Sequence, residues 1–300
     1  MTLIPFDNRD GHIWLDGAMV PWRDAKVHVL THGLHYASSI FEGERAYGGR
    51  IFRLRTHTER LFNSARLLGF EIPYTADEID AACDAVVAAN GLSDAYVRPV
   101  AWRGSEQMQV AAPQSRVHVA IAAWAWPNIF GADRMKGVRL GIARWKRPHP
   151  ETAPTASKAA GLYMIGTLAK HEAAGEGYDD AMMLDWRGHV AEGTGANMFL
   201  VMDGELHTPT PDCFLDGITR RSVIALAKRR QIKLIERTIM PDELPRATEV
   251  FLTGTAAEVT PVRQIGPHSY TPGRITETLV ADYERLVRMT GAEVDQQMAA

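Results

Sequence analysis

Apolar and β-branched residues crowd into two short runs near the start of the chain, Ile13 to Val20 and Ala46 to Phe52, and each run predicts a strand. Thr58 to Leu68 and Ala76 to Asn90 then space their apolar positions three and four apart, as helices with one buried face do. Strand character returns at Ala95 to Trp102 and Val117 to Trp126, which together are rich in Val, Ile and Trp. From Pro127 to Lys136 the periodicity is lost and Pro, Gly and Asp collect, which marks a boundary. Beyond it, strands are predicted at Val138 to Trp145, Ala181 to Asp185, Met198 to Val201, Lys233 to Ile239 and Glu249 to Thr253. Helices are predicted at Leu162 to Ala174, Arg220 to Arg230 and Ile275 to Met289. The pattern gives a small α+β domain over residues 1–127, an interdomain loop over 128–136 and a larger domain over 137–300.

Composition changes this picture little. The chain has 300 residues, 46% of them hydrophobic, enough for two cores. Its net charge of -3 comes from interspersed acids and bases, so neither a nucleic acid nor an anionic membrane is an expected partner. The first residues lack a basic-then-apolar leader, and no run approaches the roughly 18 apolar residues of a membrane span. A cytoplasmic protein acting on small molecules is expected. Cys83 and Cys213 stand far apart and outside any CxxC or Cys/His grouping, so both are read as buried thiols.

Candidate chemistry is first limited by absences: no GxGxxG after a strand, no GxxxxGK[ST], no GxSxG and no HExxH. His28, His32 and His35 are spaced to share a helix face, but no carboxylate or cysteine joins their register. They are read as core or interface residues, and no metal is expected. Only seven lysines occur, and Lys158 sits in Thr155-Ala-Ser-Lys-Ala-Ala-Gly161, among small residues with no adjacent carboxylate. Such a desolvated setting suits a nucleophilic, Schiff-base amine, although a lysine among alanines is also what a helix surface shows. Three further segments bear on it. Glu192 stands near the start of Ala191-Glu-Gly-Thr-Gly-Ala-Asn-Met-Phe199, whose two glycines suggest a tight backbone path close to a ligand, and Gly217-Ile218-Thr219-Arg220 precedes a helix whose free N–H groups would attract an anion. Gly254, Thr255 and Ala256 form a turn after a strand that could add N–H and hydroxyl donors. Each alone is turn chemistry, but their occurrence with Lys158 in one half of the chain points to a phosphorylated cofactor.

Seven ordered segments extend this reading: AKVHVLTHGLHYASSIFEGERAY (Ala25 to Tyr47), IFRLRTHTERL (to Leu61), AYVRP (to Pro99), TASKAAGLY (to Tyr163), EGTGANMF (to Phe199), DGITR (to Arg220) and FLTGTAAEVTPV (to Val262). In this order they resemble the fold-type IV pyridoxal-phosphate enzymes, and among them the bacterial branched-chain amino-acid aminotransferases. The resemblance implies a two-domain α+β and α/β fold, with a small α+β domain and a larger, mixed, β-barrel-like domain flanked by helices. It implies pyridoxal 5'-phosphate on Lys158, with Glu192 at the pyridine nitrogen and Tyr163 beside the ring. Arg60, Gly217, Ile218, Thr219, Gly254 and Thr255 would surround the phosphate. Tyr96 and Arg98, with Thr255 and Ala256, would receive the substrate α-carboxylate. Tyr36, Phe41, Gly43, Val110, Trp126 and Phe130 would wall the side-chain pocket, part of it supplied by a second copy, so at least a homodimer is implied. The implied reaction passes the amino group of L-leucine, isoleucine or valine to 2-oxoglutarate in two half-reactions, with amino acids and 2-keto acids as the small-molecule partners.

The sequence departs from the commonest pattern at Ala37 (often glycine), Glu44 (often aliphatic), Gln107 and Gln109 (often glycine) and Ala196 (often Glu). Rival readings are a D-amino-acid or (R)-amine transaminase of the same fold, a pyridoxal-phosphate-dependent lyase, and a non-catalytic homologue. The Tyr96-x-Arg98 pattern favours L-amino acids, and retention of Lys158, Glu192 and Arg60 together favours an enzyme.

Overall fold

A computed structural model describes residues 4–126 and 131–298 of the chain, with the side chains of residues 131–133 left aside. The chain divides into two compact units, Met1–Pro127 with Ser157–Gly161, and Asn128–Ala156 with Leu162–Ala300.

In the first unit, β1 (His12–Leu15), β2 (Ala18–Pro21), β3 (Ser39–Phe41), β4 (Glu44–Tyr47), β5 (Arg50–Ile51), β6 (Ala95–Arg103) and β7 (Val117–Ala125) form one sheet. Its order is β2-β1-β7-β6-β4-β5, with β3 also on β6. The two runs predicted as single strands are hairpins. Asp16-Gly17 and Gly48-Gly49 have φ of 49° and 96°, and 58° and 78°, so both central residues of each turn are left-handed. Asp-Gly and Gly-Gly favour this geometry, and its twist matches that of the flanking strands. The helices are α1 (His32–Tyr36), α2 (Leu54–Leu67) and α3 (Ala76–Ala89), so α2 starts a turn before the Thr58 expected from periodicity. The start of α3 is fixed by a capping box, in which the Thr75 hydroxyl accepts from the Glu78 amide while the Glu78 carboxylate accepts from the Thr75 amide. Leu61 and Ala65 of α2 and Ile79, Cys83 and Val86 of α3 are buried in one cluster with Val97 and Ile121 of the sheet.

The second unit contains β8 (Val138–Ile142), β9 (Asp180–Leu184), β10 (Val190–Gly193), β11 (Asn197–Met202), β12 (Glu205–Pro209), β13 (Leu234–Arg237), β14 (Glu249–Gly254), β15 (Glu258–Ile265) and β16 (His268–Ser269). Six of them run in the order β10-β9-β8-β15-β14-β11, and β10 pairs with β11 through Glu192 and Asn197, so the strands close into a ring. Leu140, Met182, Val190, Met198, Leu252 and Val262, one from each ring strand, meet in a single buried cluster. Phe199 and Phe251 stack 5.0 Å apart on neighbouring strands, alternating with Met198 and Leu252 of that cluster. The helices α4 (Met164–Gly175), α5 (Ile218–Arg229) and α6 (Arg274–Leu286) pack on ring strands, and α7 (Gly291–Met298) packs on α5. Burial of both strand faces removes the polar–apolar alternation by which strands are recognised. β10, β12 and β15 are therefore additions to the strands expected from sequence, while β8 ends at Ile142 rather than Trp145. Gly131–Lys136, expected as loop, forms a 3-10 helix. Among the described residues no helix is long and apolar enough to cross a membrane.

Candidate functional site

Lys158 stands in an extended segment tied to the first unit rather than on a helix surface. Ala159 bridges antiparallel to Ile40, and the Phe41 amide donates to the Lys158 carbonyl at 3.2 Å. Ser64 of α2 holds the segment twice: its hydroxyl accepts from the Lys158 amide at 3.0 Å, and its carbonyl accepts from the Ser157 hydroxyl at 3.1 Å. The backbone of Lys158 is thus fixed without use of its side chain, and Nζ lies 5.2 Å from the centre of the Phe41 ring.

Directly after β3, Glu42 is completely buried and meets Arg60, which the sequence reading expected at the phosphate. Arg60 donates through Nε at 2.7 Å and Nη2 at 2.8 Å, and the ring Nδ1 of His57 lies 2.7 Å from the second oxygen. Burial alone would raise the Glu42 pKa. The Arg60 charge and hydrogen bonds, followed by His57, outweigh it and hold the carboxylate well below its ordinary range. Burial lowers the His57 pKa, so a neutral ring donating from Nδ1 fits this network. Glu44, two residues on, has the opposite environment. It is also fully buried, but neither oxygen has a strong hydrogen-bond donor among the described residues. Burial, then the charges of Glu42 and Asp80, push its pKa well up, and the Cys83 thiol beside it is only a weak donor.

Phe41, Gly43, Tyr96, Arg98 and Trp126 come together. The Arg98 guanidinium lies over the rings of Phe41 at 4.6 Å and Tyr96 at 5.2 Å, and its Nη2 donates to the Tyr96 hydroxyl at 3.2 Å. Trp126 packs 5.1 Å from Tyr96. A Cβ at position 43 would sit 2.0 Å from the Tyr96 hydroxyl, so only glycine leaves room there. Arg98 Nε is buried without a hydrogen-bond partner among the described residues. Arg98 and Val100 also wall a concavity of about 600 Å³ that includes Ala37, Ala160 and Gly161. Ala37 is left-handed, with φ of 54°, a conformation that glycine would adopt without strain. Tyr36 and Val110 are not in the cluster, being 44% and 84% exposed, and Phe130 lies outside the described residues.

The histidine face expected from spacing does not form, because α1 begins only at His32. His32 is buried against the Ser38 hydroxyl and the Gln109 carbonyl, and His35 contacts the Val29 carbonyl. Among the described residues one grouping has metal-ligand spacing, Asp185, Asp212 and Cys213, and Arg187 already pairs with both carboxylates.

In the second unit, Glu192 is buried on β10. Arg147 Nε lies 2.9 Å from one carboxylate oxygen, and Asn197 Nδ2 donates to the other at 3.2 Å. Tyr163 closes a 3-10 turn ahead of α4. Gly217 caps α5, so Ile218 and Thr219 occupy the helix's first turn, and no side chain caps it. Gly254 ends β14, with Thr255 and Ala256 in the turn that follows. Sequence reading missed Glu42, His57, Ser64, Arg147 and Asn197. For Asn197 a signal existed, since it lies five residues after Glu192 inside the same conspicuous turn.

A model of the amino-transferase class IV family matches residues 39–265. The chain belongs to that family. The class IV aminotransferase resembles the branched-chain-amino-acid aminotransferase of Pseudomonas aeruginosa, with 46% identity covering 93% of this chain and 94% of that one. Its fold matches the T.th. branched-chain amino acid aminotransferase complexed with N-(5'-phosphopyridoxyl)-L-glutamate (TM-score 0.91, 39% identity, 96% and 98% of the two chains). The branched-chain aminotransferase of the archaeon Thermoproteus uzoniensis with norvaline matches equally well (TM-score 0.91, 39% identity, 96% and 98%). The family uses pyridoxal phosphate, and this chain has the donor set that such a group needs. It offers a lysine amine, a buried carboxylate, an arginine and a helix N-terminus whose own cap supplies no side chain.

Proposed function

We propose that this aminotransferase transfers the α-amino group of L-leucine, isoleucine and valine to 2-oxoglutarate, with pyridoxal 5'-phosphate held on Lys158. The observation that carries the substrate reading is Arg98. Its guanidinium lies over two aromatic rings, and its buried Nε has hydrogen-bonding capacity that no described residue uses, which suits an α-carboxylate whose aliphatic side chain packs on neighbouring apolar surface. The glutamate conjugate and the norvaline named for the two structural relatives support an acidic and an aliphatic substrate in turn.

When bound, the cofactor supplies a carbonyl carbon for amine exchange and a ring that accepts the electron pair left at the substrate Cα. Arg60, the Ile218 and Thr219 amides and Thr255 would bind its phosphate, with Gly217 and Gly254 at the ends of the two turns that carry them. Glu192 keeps the pyridine nitrogen protonated, and Tyr163 borders the ring. Lys158 would anchor the cofactor through its amine and, once displaced by the substrate amine, would be the base for the Cα proton and the acid that gives it back. Tyr96 and Arg98, with the Thr255 and Ala256 amides, orient the α-carboxylate, while Phe41, Gly43 and Trp126 exclude water from the side chain. A 2-keto acid reverses these steps in the second half-reaction.

L-Leucine, D-alanine and (R)-1-phenylethylamine, each supplied with 2-oxoglutarate or pyruvate, separate the readings. L-Leucine is expected to be the good donor, and turnover of only the other two would overturn the assignment. The reading includes a cytoplasmic protein that is at least a homodimer, with Tyr36 and Val110 completing the pocket walls. Val27, Val29, Leu30, Leu34, Tyr36 and Val110 form apolar surface that a second copy would cover. Light scattering should give a mass of two or more 33.2 kDa chains, and a monomer would remove that part.

A further inference from the structure

Asn197 is 4% exposed and makes three polar contacts with one amide. Nδ2 donates to Glu192 Oε2 at 3.2 Å and to the Leu215 carbonyl at 2.9 Å, while Oδ1 accepts from the Gly217 amide at 3.1 Å. The backbone partners decide the orientation of the amide. A carbonyl can only accept and an N–H can only donate, so reversing the group would break both contacts. The side chain therefore joins the carboxylate on β10 to the turn that opens α5. It also explains the glycine at 217. That residue has φ of -63° and ψ of 141°, which any amino acid adopts, yet a Cβ there would lie 2.2 Å from Asn197 Oδ1. Glycine is needed there to make room for the asparagine, not for backbone freedom.

We propose that Asn197 is a positioning residue that sets the Glu192 carboxylate and the first turn of α5 with a single side chain, so that the ring-nitrogen and phosphate ends of the cofactor site keep a fixed spacing. The inference rests on the roles proposed above for Glu192, Ile218 and Thr219. Asparagine is the residue type the geometry requires. Aspartate could still accept from the Gly217 amide, but it would turn a second carboxylate oxygen towards Glu192 and the Leu215 carbonyl, where a donor is needed. Alanine would release both ends.

The test is reconstitution of apoprotein with pyridoxal 5'-phosphate, followed by absorbance, in wild type, Asn197→Ala, Asn197→Asp, Gly217→Ala and the Asn197→Ala/Gly217→Ala double variant. Both Asn197 variants should bind the cofactor roughly 10–100-fold more weakly, the range seen when an outer group that orients a ligand is removed. In Asn197→Asp the visible band should also titrate at a different pH from wild type, because the added charge acts on Glu192; a purely structural defect would not move that midpoint. Gly217→Ala should weaken binding when Asn197 is present and add no further loss when it is alanine, a non-additivity specific to this contact. Additive losses, or cofactor affinity and band titration within about threefold of wild type in both Asn197 variants, would overturn the proposal. If Asn197→Asp does not fold, the Gly217→Ala cycle with Asn197→Ala decides alone. Wild-type protein that takes up no cofactor would overturn the underlying site assignment as well, whereas normal wild-type binding with unaffected variants would remove only the role of Asn197.

Discussion

The Lys158→Ala variant is expected to lose leucine-dependent amino transfer by roughly 10⁴-fold or more, since under the proposed mechanism one substitution removes both the covalent anchor and the group that moves the Cα proton. The fold should survive. Ser64 and Phe41 hold the segment through its main chain and the Ser157 hydroxyl, all of which alanine leaves in place. Melting within a few degrees of wild type should therefore accompany the loss of turnover. Borohydride should fix cofactor to the wild-type chain and not to the variant. A variant retaining more than about 1% of the activity would take Lys158 out of the chemistry.

The second large effect is a contrast between two glutamates on the same stretch of chain. Glu42→Leu should destabilise the protein by about 3–5 kcal/mol, because it strips the largely buried Arg60 of its counter-charge and His57 of its acceptor. Glu44→Leu should stabilise it by roughly 1–3 kcal/mol, because it replaces a buried carboxyl that meets the weak Cys83 donor and no stronger one among the described residues by a side chain that asks for none. The two also respond to pH with opposite sign. The Glu42 pKa is held below the ordinary 4.5, so its pair stabilises above pH 4.5 and that contribution fades as the pH falls below it. The Glu44 pKa is raised above 4.5, so the folded chain keeps a proton that the unfolded chain has lost, and burial of Glu44 costs more as the pH rises from 4.5. The gain from Glu44→Leu should grow over that range. Urea unfolding of both variants at about pH 5 and pH 8 measures this. Stability shifts of the same sign would contradict the opposed environments of the two carboxyls.

This pair also shows where sequence reading stops. Lys158, Glu192 and the Gly217–Thr219 turn stand out in the sequence as candidates because each lies in a local string rich in glycine or small residues. Glu42 lies in Phe-Glu-Gly-Glu, where nothing local separates a buried ion-paired acid from a surface one. Its partners His57 and Arg60 arrive 15 and 18 residues later, on a helix. Glu44 could be flagged only as unusual, and its isolation comes from α3, which brings Asp80 and Cys83 against it. The helix α3 was legible from its periodicity, and α5 likewise to within two residues at its start. The two early hairpins were hidden inside single runs, although Asp16-Gly17 and Gly48-Gly49 carried the turn signal. The ring strands lack the alternation on which strand recognition depends.

His57, Arg60 and Ser64 follow one another at helical spacing on α2, so one rigid rod carries both groups that meet Glu42 and the peg that fixes the Lys158 backbone. Each residue of a helix advances its direction by about 100°. A single residue inserted between Arg60 and Ser64 would swing one of them away from its partner while leaving every side chain chemically intact. This stretch should therefore accept changes of residue far more readily than changes of length, and its descendants should diverge in composition while keeping the same count of residues from His57 to Ser64.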